Sequence, residues 1–132
     1  MNIEYTVIFI KSIAIKKKIV GKIINRFEEN DFVIIKYVMC RFNDDDIVFL
    51  NNFCINFNDY DLKNEFLLIV LQGYNLIYKI NIILGLYDEN FESSINNYFI
   101  NLSDYIFHCS KNIEDSKKLI NYFFDRNFYE IY

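Results

Sequence analysis

The chain's only histidine, His108, sits in Ile106-Phe107-His108-Cys109-Ser110, at the end of an apolar run and just before a helix-start signal. A lone imidazole in that place is a candidate nucleophile or general base, because its ordinary pKa lies near neutrality. The plain alternative is a histidine packed at a strand end. A second chemical feature is the basic triplet Lys16-Lys17-Lys18. Read as the first turn of a helix, it stands where the helix dipole disfavours cations. Such a placement suits contact with an anion, a nucleotide or RNA phosphate, against the alternative of a solvated charge run. Asp44-Asp45-Asp46 reads the other way, as acidic residues where a helix start favours them rather than as a metal site.

Cys40, Cys54 and Cys109 are odd in number and widely spaced, with no C-x-x-C pair. One histidine cannot complete a Cys/His zinc site, so no metal site is expected, and a reducing compartment is the simplest reading. Cys109 reads as buried and inert rather than as a reactive thiol. The aromatic residues between 49 and 60 read as core rather than as a platform for a base.

These groups must be positioned by a single domain spanning residues 1–132, long enough to build a core without staples. Hydrophobic residues make up 53% and charged residues 24%, which excludes a disordered chain. The net charge of -4 leaves no overall footprint for nucleic acid or an anionic membrane. Arg26, Arg41 and Arg126 are the only arginines, a scarcity that matters because guanidinium forks are the usual clamp on phosphates. Proline is absent, and Ile, Asn, Lys, Phe and Tyr are heavily used, a bias that reads as codon pressure from an AT-rich genome. The apolar runs are too short to span a bilayer and the start carries no signal-peptide pattern, so no membrane association and a cytoplasmic location are expected.

The periodicity predicts a strand over 5–11 ending at Lys11, an amphipathic helix over 18–30 and a strand over 32–40. A helix then starts at Asn43 to Asp46, and residues 51–65 resist assignment. A strand follows over 66–71, then a helix over about 74–84 closed by Gly85, and an irregular stretch over 86–103 with a helical turn near Ser93 to Phe99. The fourth strand covers 105–108, and Asn112 caps a last helix through Phe124 whose buried stripe is Leu119, Ile120 and Phe123. That order predicts an α+β, ferredoxin-like split βαβ fold (βαββαβ): one four-stranded antiparallel sheet with helices on one face.

Several of these segments resemble the nucleoside diphosphate kinase family. Ile19-Val20-Gly21-Lys22-Ile23-Ile24-Asn25-Arg26-Phe27-Glu28 is similar to that family's first helix, Leu-Val-Gly-Glu-Ile-Ile-x-Arg-Phe-Glu. Glu4 to Lys11 resembles its first strand with the active-site lysine. Gln72-Gly73-Tyr74-Asn75 resembles Glu-Gly-x-Asn, Leu84-Gly85 its Leu-Gly, and Ser94 to Phe99 its Thr-Ile-Arg-Gly-Asp-Phe. Ile106 to Ser110 resembles Ile-Ile-His-Gly-Ser, which carries the phosphorylated histidine. The likeness runs from about Glu4 to Phe124.

The resemblance implies a ping-pong cycle, assisted by Mg²⁺, in which the histidine takes the γ-phosphoryl group of ATP or another nucleoside triphosphate and passes it to a diphosphate. It implies that His108 accepts the phosphoryl group, that Lys11 neutralises phosphate charge, and that Ser110 and Asn75 help hold the nucleotide. The departures bear on the same chemistry. Two phosphate-gripping arginines of the family are Ile82 and Asn96 here. Each lost charge-assisted contact costs roughly 1.5–3 kcal/mol. The glutamate that orients the histidine is Leu119, the glycine after the histidine is Cys109, and the asparagine three residues before the histidine is Tyr105. The threonine after Leu-Gly-Glu is Tyr87, and Pro-Asp-Gly after the lysine is Ser12-Ile13-Ala14. The shortened, proline-free loop puts the family's homo-oligomer in doubt. Three functions stay open: a pseudoenzyme with reduced or lost phosphotransfer that binds a nucleotide or a partner; a minimal active kinase using His108, Lys11 and Mg²⁺; and a structural or regulatory subunit of a larger assembly such as a ribonucleoprotein.

Overall fold

In a computed structural model, residues 2–53, 55, 58–83, 106–110 and 112–124 are described. Four strands form one sheet in the order β2-β3-β1-β4, with β1 over Ile3–Ile10, β2 over Val33–Cys40, β3 over Phe66–Tyr74 and β4 over Ile106–Cys109. Every neighbouring pair is antiparallel. β1 and β2 run the same way with β3 inserted between them, the split βαβ arrangement that the element order predicts.

The two central strands explain the layering. Ile8 and Ile10 of β1 point with Leu67, Ile69 and Leu71 of β3 into one core cluster, while Val7 and Phe9 point with Phe66, Leu68 and Val70 into a second. Side chains alternate across a strand, so a continuously apolar strand is one buried on both faces. The first face is covered by α1 (Ser12–Lys16), α2 (Val20–Glu29) and α5 (Leu76–Ile83), through Ala14, Ile23, Phe27, Leu76 and Ile80. The second is covered by α3 (Asp44–Asn51) and the last helix, α6 (Ile113–Phe124), through Leu50, Leu119, Phe123 and Phe124. The expectation of helices on one face is thereby corrected. The unbroken apolar run of β3 carried the signal, since a half-solvated sheet would alternate.

An aromatic set fills the second face. The Phe42 ring stacks on Phe66 at 4.6 Å between centroids, and Phe123 meets Phe9 edge-on at 5.6 Å. Phe49 stacks on Tyr122 of α6 at 3.8 Å, so this aromatic is spent in the core rather than held out for a base. The starts of α3 and α6 share one local pattern, Asn-x-x-Asp. The Asn43 side chain accepts the Asp46 N–H at 2.8 Å, and the Asp46 carboxylate accepts the Asn43 N–H at 2.9 Å. Asn112 accepts the Asp115 N–H at 2.8 Å in the same way.

The boundaries shift in instructive places. β1 stops at Ile10, and Lys11 becomes the extended residue that opens α1, a short helix not foreseen in the sequence. β3 runs on to Tyr74 because Gly73 still pairs with Glu4. Cys54, the segment 84–105, where a helical turn near Ser93 to Phe99 is expected from the sequence, and Arg126 lie outside the described residues. Among the described residues no helix is long and apolar enough to cross a membrane.

Candidate functional site

Antiparallel register brings the carboxyl end of β1 beside the start of β4. Phe9 pairs with His108 and Ile8 with Cys109, and the register slips between Phe9 and Ile10. The backbone of His108 is therefore two residues along the strand from Lys11, within roughly 10 Å at ordinary strand spacing. Cys109 is buried as expected, and its Sγ donates to the Asn81 Oδ1 at 3.5 Å. Ser110 is fully buried, and its hydroxyl has no hydrogen-bond partner among the described residues.

Lys11 does not end in solvent. Its ammonium lies 3.7 Å from the carboxylate of Asp61, which is itself buried. Asp61 belongs to α4 (Asp59–Lys63), whose start is fixed by Asn58 accepting the Asp61 N–H at 2.7 Å. α4 is clasped to α1 a second time, by the Lys16 ammonium donating to the Tyr60 hydroxyl and lying 5.0 Å from the centre of its ring. The same hydrogen bond to Lys16, with its positive charge, holds the Tyr60 phenol below its ordinary pKa. Asp61 and Tyr60 were not singled out from the sequence. The available signal was Asn58-x-x-Asp61, the third copy of the capping pattern seen at Asn43 and Asn112.

The basic triplet lies differently from its expected place. Lys16 ends α1, Lys17 is its C-cap, and Lys18 takes a left-handed turn with φ 59° before α2 begins. Lys16 and Lys17 thus stand at a helix C-terminus, where the dipole favours cations. The electrostatic reason for expecting an anion there is removed.

Asn75 is remote from the histidine. It follows Tyr74, which pairs with Ile3, at the opposite end of β1 from Lys11. The length of the strand separates the two by roughly 25 Å. Asn75 there lines a cleft of 450 Å³ together with Glu4 and Glu114, acidic neighbours that disfavour phosphate. The structure brings Lys11 and the His108 backbone together and leaves Asn75 apart.

Arg26 pairs with Glu29 at 3.3 Å and Arg41 with Glu65 at 3.8 Å, so both described arginines lie beside glutamates. Leu119, where the resemblance expects a carboxylate, is fully buried in the apolar cluster of the second face. Among the described residues no group of three or more His, Cys, Asp and Glu side chains is placed to hold a metal ion.

Comparison with known proteins agrees with this fold. The family model described as nucleoside diphosphate kinase matches residues 4–128. The structure is similar to a nucleoside diphosphate kinase from Aquifex aeolicus, with a TM-score of 0.73 and 22% identity over 93% of this chain and 96% of that one. It is also similar to one from Encephalitozoon cuniculi, with a TM-score of 0.72 and 18% identity over 94% of this chain and 90% of that one. Comparison with curated proteins gives no significant match.

Proposed function

The chain belongs to the nucleoside diphosphate kinase family, and from that premise we propose that it works as a degenerate member, a nucleotide- or partner-binding module whose phosphoryl transfer through His108 is reduced or lost. One observation carries the reading. Lys11, the cation that would neutralise phosphate charge, already faces the buried Asp61 carboxylate at 3.7 Å. An incoming phosphate has to compete with a carboxylate that is tethered in place and needs no recruitment.

The surrounding chemistry points the same way. Attack by an imidazole nitrogen on the γ-phosphorus forms an N–P bond, breaks the bond to the bridging oxygen and leaves the diphosphate with the negative charge. That charge needs preorganised donors, and an imidazole in its attacking tautomer needs an acceptor on its other nitrogen. The residue at the orienting position on α6 is Leu119, which offers no acceptor. Ile82 and Asn96 offer no guanidinium.

The test is incubation of the purified protein with γ-labelled ATP and Mg²⁺, followed by assay for acid-labile phosphohistidine. Wild type is expected to label no more than His108→Asn, while equilibrium dialysis detects weak nucleotide binding. Stoichiometric label that disappears in His108→Asn would refute the reading and establish a working minimal kinase. Absence of both label and nucleotide affinity, with cosedimentation on a large particle, would favour the assembly subunit.

A further inference from the structure

The chain is anchored on both sides of α4, at Ile55 and Phe66, which are buried in the second core cluster. Among the described residues between those anchors, Asp61 is the only buried side chain, and Leu62 is half-buried. A five-residue helix does not stand by itself, so its place depends on what it touches. The contacts that seat it on α1 are polar. Asp61 faces the Lys11 ammonium at 3.7 Å, and the exposed Tyr60 hydroxyl accepts a hydrogen bond from Lys16. Glu65, at the foot of the segment, pairs with Arg41 in an exposed bridge of little weight. An element with no fully buried apolar side chain lies at the low end of local stability.

Both contacts close on cations, and both cations stand at the ends of α1: Lys11 opens it and Lys16 ends it. Parting Asp61 from Lys11 leaves two poorly solvated charges unpaired, which is costly unless another anion takes the carboxylate's place. An anion that does so pairs Lys11 and lets Asp61 turn to water. The remaining tie, one exposed hydrogen bond from Lys16 to Tyr60, is weak. The docked and undocked positions of α4 are thus separated mainly by which anion Lys11 faces.

We propose that α4 is a latch over Lys11 that a polyphosphate opens: the anion replaces the Asp61 carboxylate on the Lys11 ammonium, and α4 comes off α1. The inference rests on the reading that Lys11 is the phosphate cation of this site, and it gives that site its regulation. The anion binds the open form alone, so its affinity is lowered by the fraction of molecules that are latched. Anything that loosens α4 tightens the anion, even a change that never touches Lys11.

The experiment titrates inorganic tripolyphosphate, which has no base to stack on a tyrosine, into the full chain carrying ring-labelled tyrosine. Calorimetry reads binding, and NMR reads the Tyr60 ring, whose signal is identified by its loss in Tyr60→Phe. Saturable binding is expected, with the Tyr60 signal moving at the same half-saturation and its pKa returning upward as Lys16 is left behind. Tyr60→Phe keeps every charge and removes one tie, so it is expected to tighten the anion about two- to tenfold. Tyr78→Phe, at an exposed tyrosine of α5, is expected to change nothing. Thermal melts report that each variant is folded. The latch is overturned if the anion saturates while the Tyr60 signal stays still, or if Tyr60→Phe binds no tighter than wild type. Should wild type bind nothing, the double variant Asp61→Asn/Tyr60→Phe must bind, and silence there overturns the latch as well. Phosphohistidine in the labelling assay would refute the loss of phosphoryl transfer and leave the latch standing, whereas an unmoved Tyr60 overturns the latch alone.

Discussion

If Asp61 blocks Lys11 as an internal anion, removing its charge should open the site. Asp61→Asn keeps the shape of the side chain and discards the charge. At 3.7 Å and an effective dielectric of about 20, the attraction between the two groups is roughly 4–5 kcal/mol. The side chains of Lys11 and Asp61 are 19% and 6% exposed, so solvent screens the pair only in part. Most of that attraction is offset by the hydration that both groups recover when separated. A competing phosphate therefore forgoes about 1.5–3 kcal/mol in the wild type, and Asp61→Asn should tighten ATP binding about 10- to 150-fold. Calorimetric titration of ATP, with and without Mg²⁺, into wild type, Asp61→Asn, Lys11→Met and the double variant measures this. The gain should appear only where Lys11 is present. Equal affinity in wild type and Asp61→Asn, or an equal gain on the Lys11→Met background, would refute the reasoning. A melt of each variant is needed alongside, because a cation stripped of its buried partner destabilises the fold.

Three further outcomes follow from the packing. Leu119→Ala removes a fully buried side chain from the second core cluster; it should cost about 2–5 kcal/mol, read as a fall in Tm of roughly 10 °C by calorimetry. Gly21→Ala should stabilise by about 0.5–1 kcal/mol in urea unfolding, because a Cβ there meets nothing within 4 Å and Gly21 lies inside α2. Lys16→Met should return the Tyr60 pKa upward toward its ordinary value, followed by NMR of labelled tyrosine. The sign is that of a group whose folded pKa is depressed: the clasp contributes more as pH rises through the Tyr60 titration.

Much of this protein could be read before any coordinates. The order of strands and helices follows from runs such as Phe66 to Leu71 and from the stripe Ile19, Val20, Ile23, Ile24 and Phe27, because periodicity reports which faces are buried. Asn43 and Asn112 mark helix starts for an equally local reason: a side-chain oxygen reaches an amide three residues on. The likeness of residues 19–28 and 106–110 to a kinase family was legible in the same way, as was the loss of its arginines and of its orienting glutamate.

Short-range pattern does not report which distant residues meet. Lys11 and Asp61 are fifty positions apart, and only the docking of α4 on α1 turns a candidate phosphate ligand into half of an ion pair. Lys16 and Lys17 changed electrostatic meaning because one unforeseen helical turn, Ser12–Lys16, put them at a helix end instead of a helix start. Asn75 lies far from His108 because β3 runs antiparallel to β1, so its carboxyl end meets Ile3 while His108 pairs at Phe9. The sequence by itself determined the order of the four strands and of the longer helices, the apolar stripes and the family. Tertiary structure alone decided which charges face each other, since Coulomb energy depends on distances that folding sets and sequence separation does not.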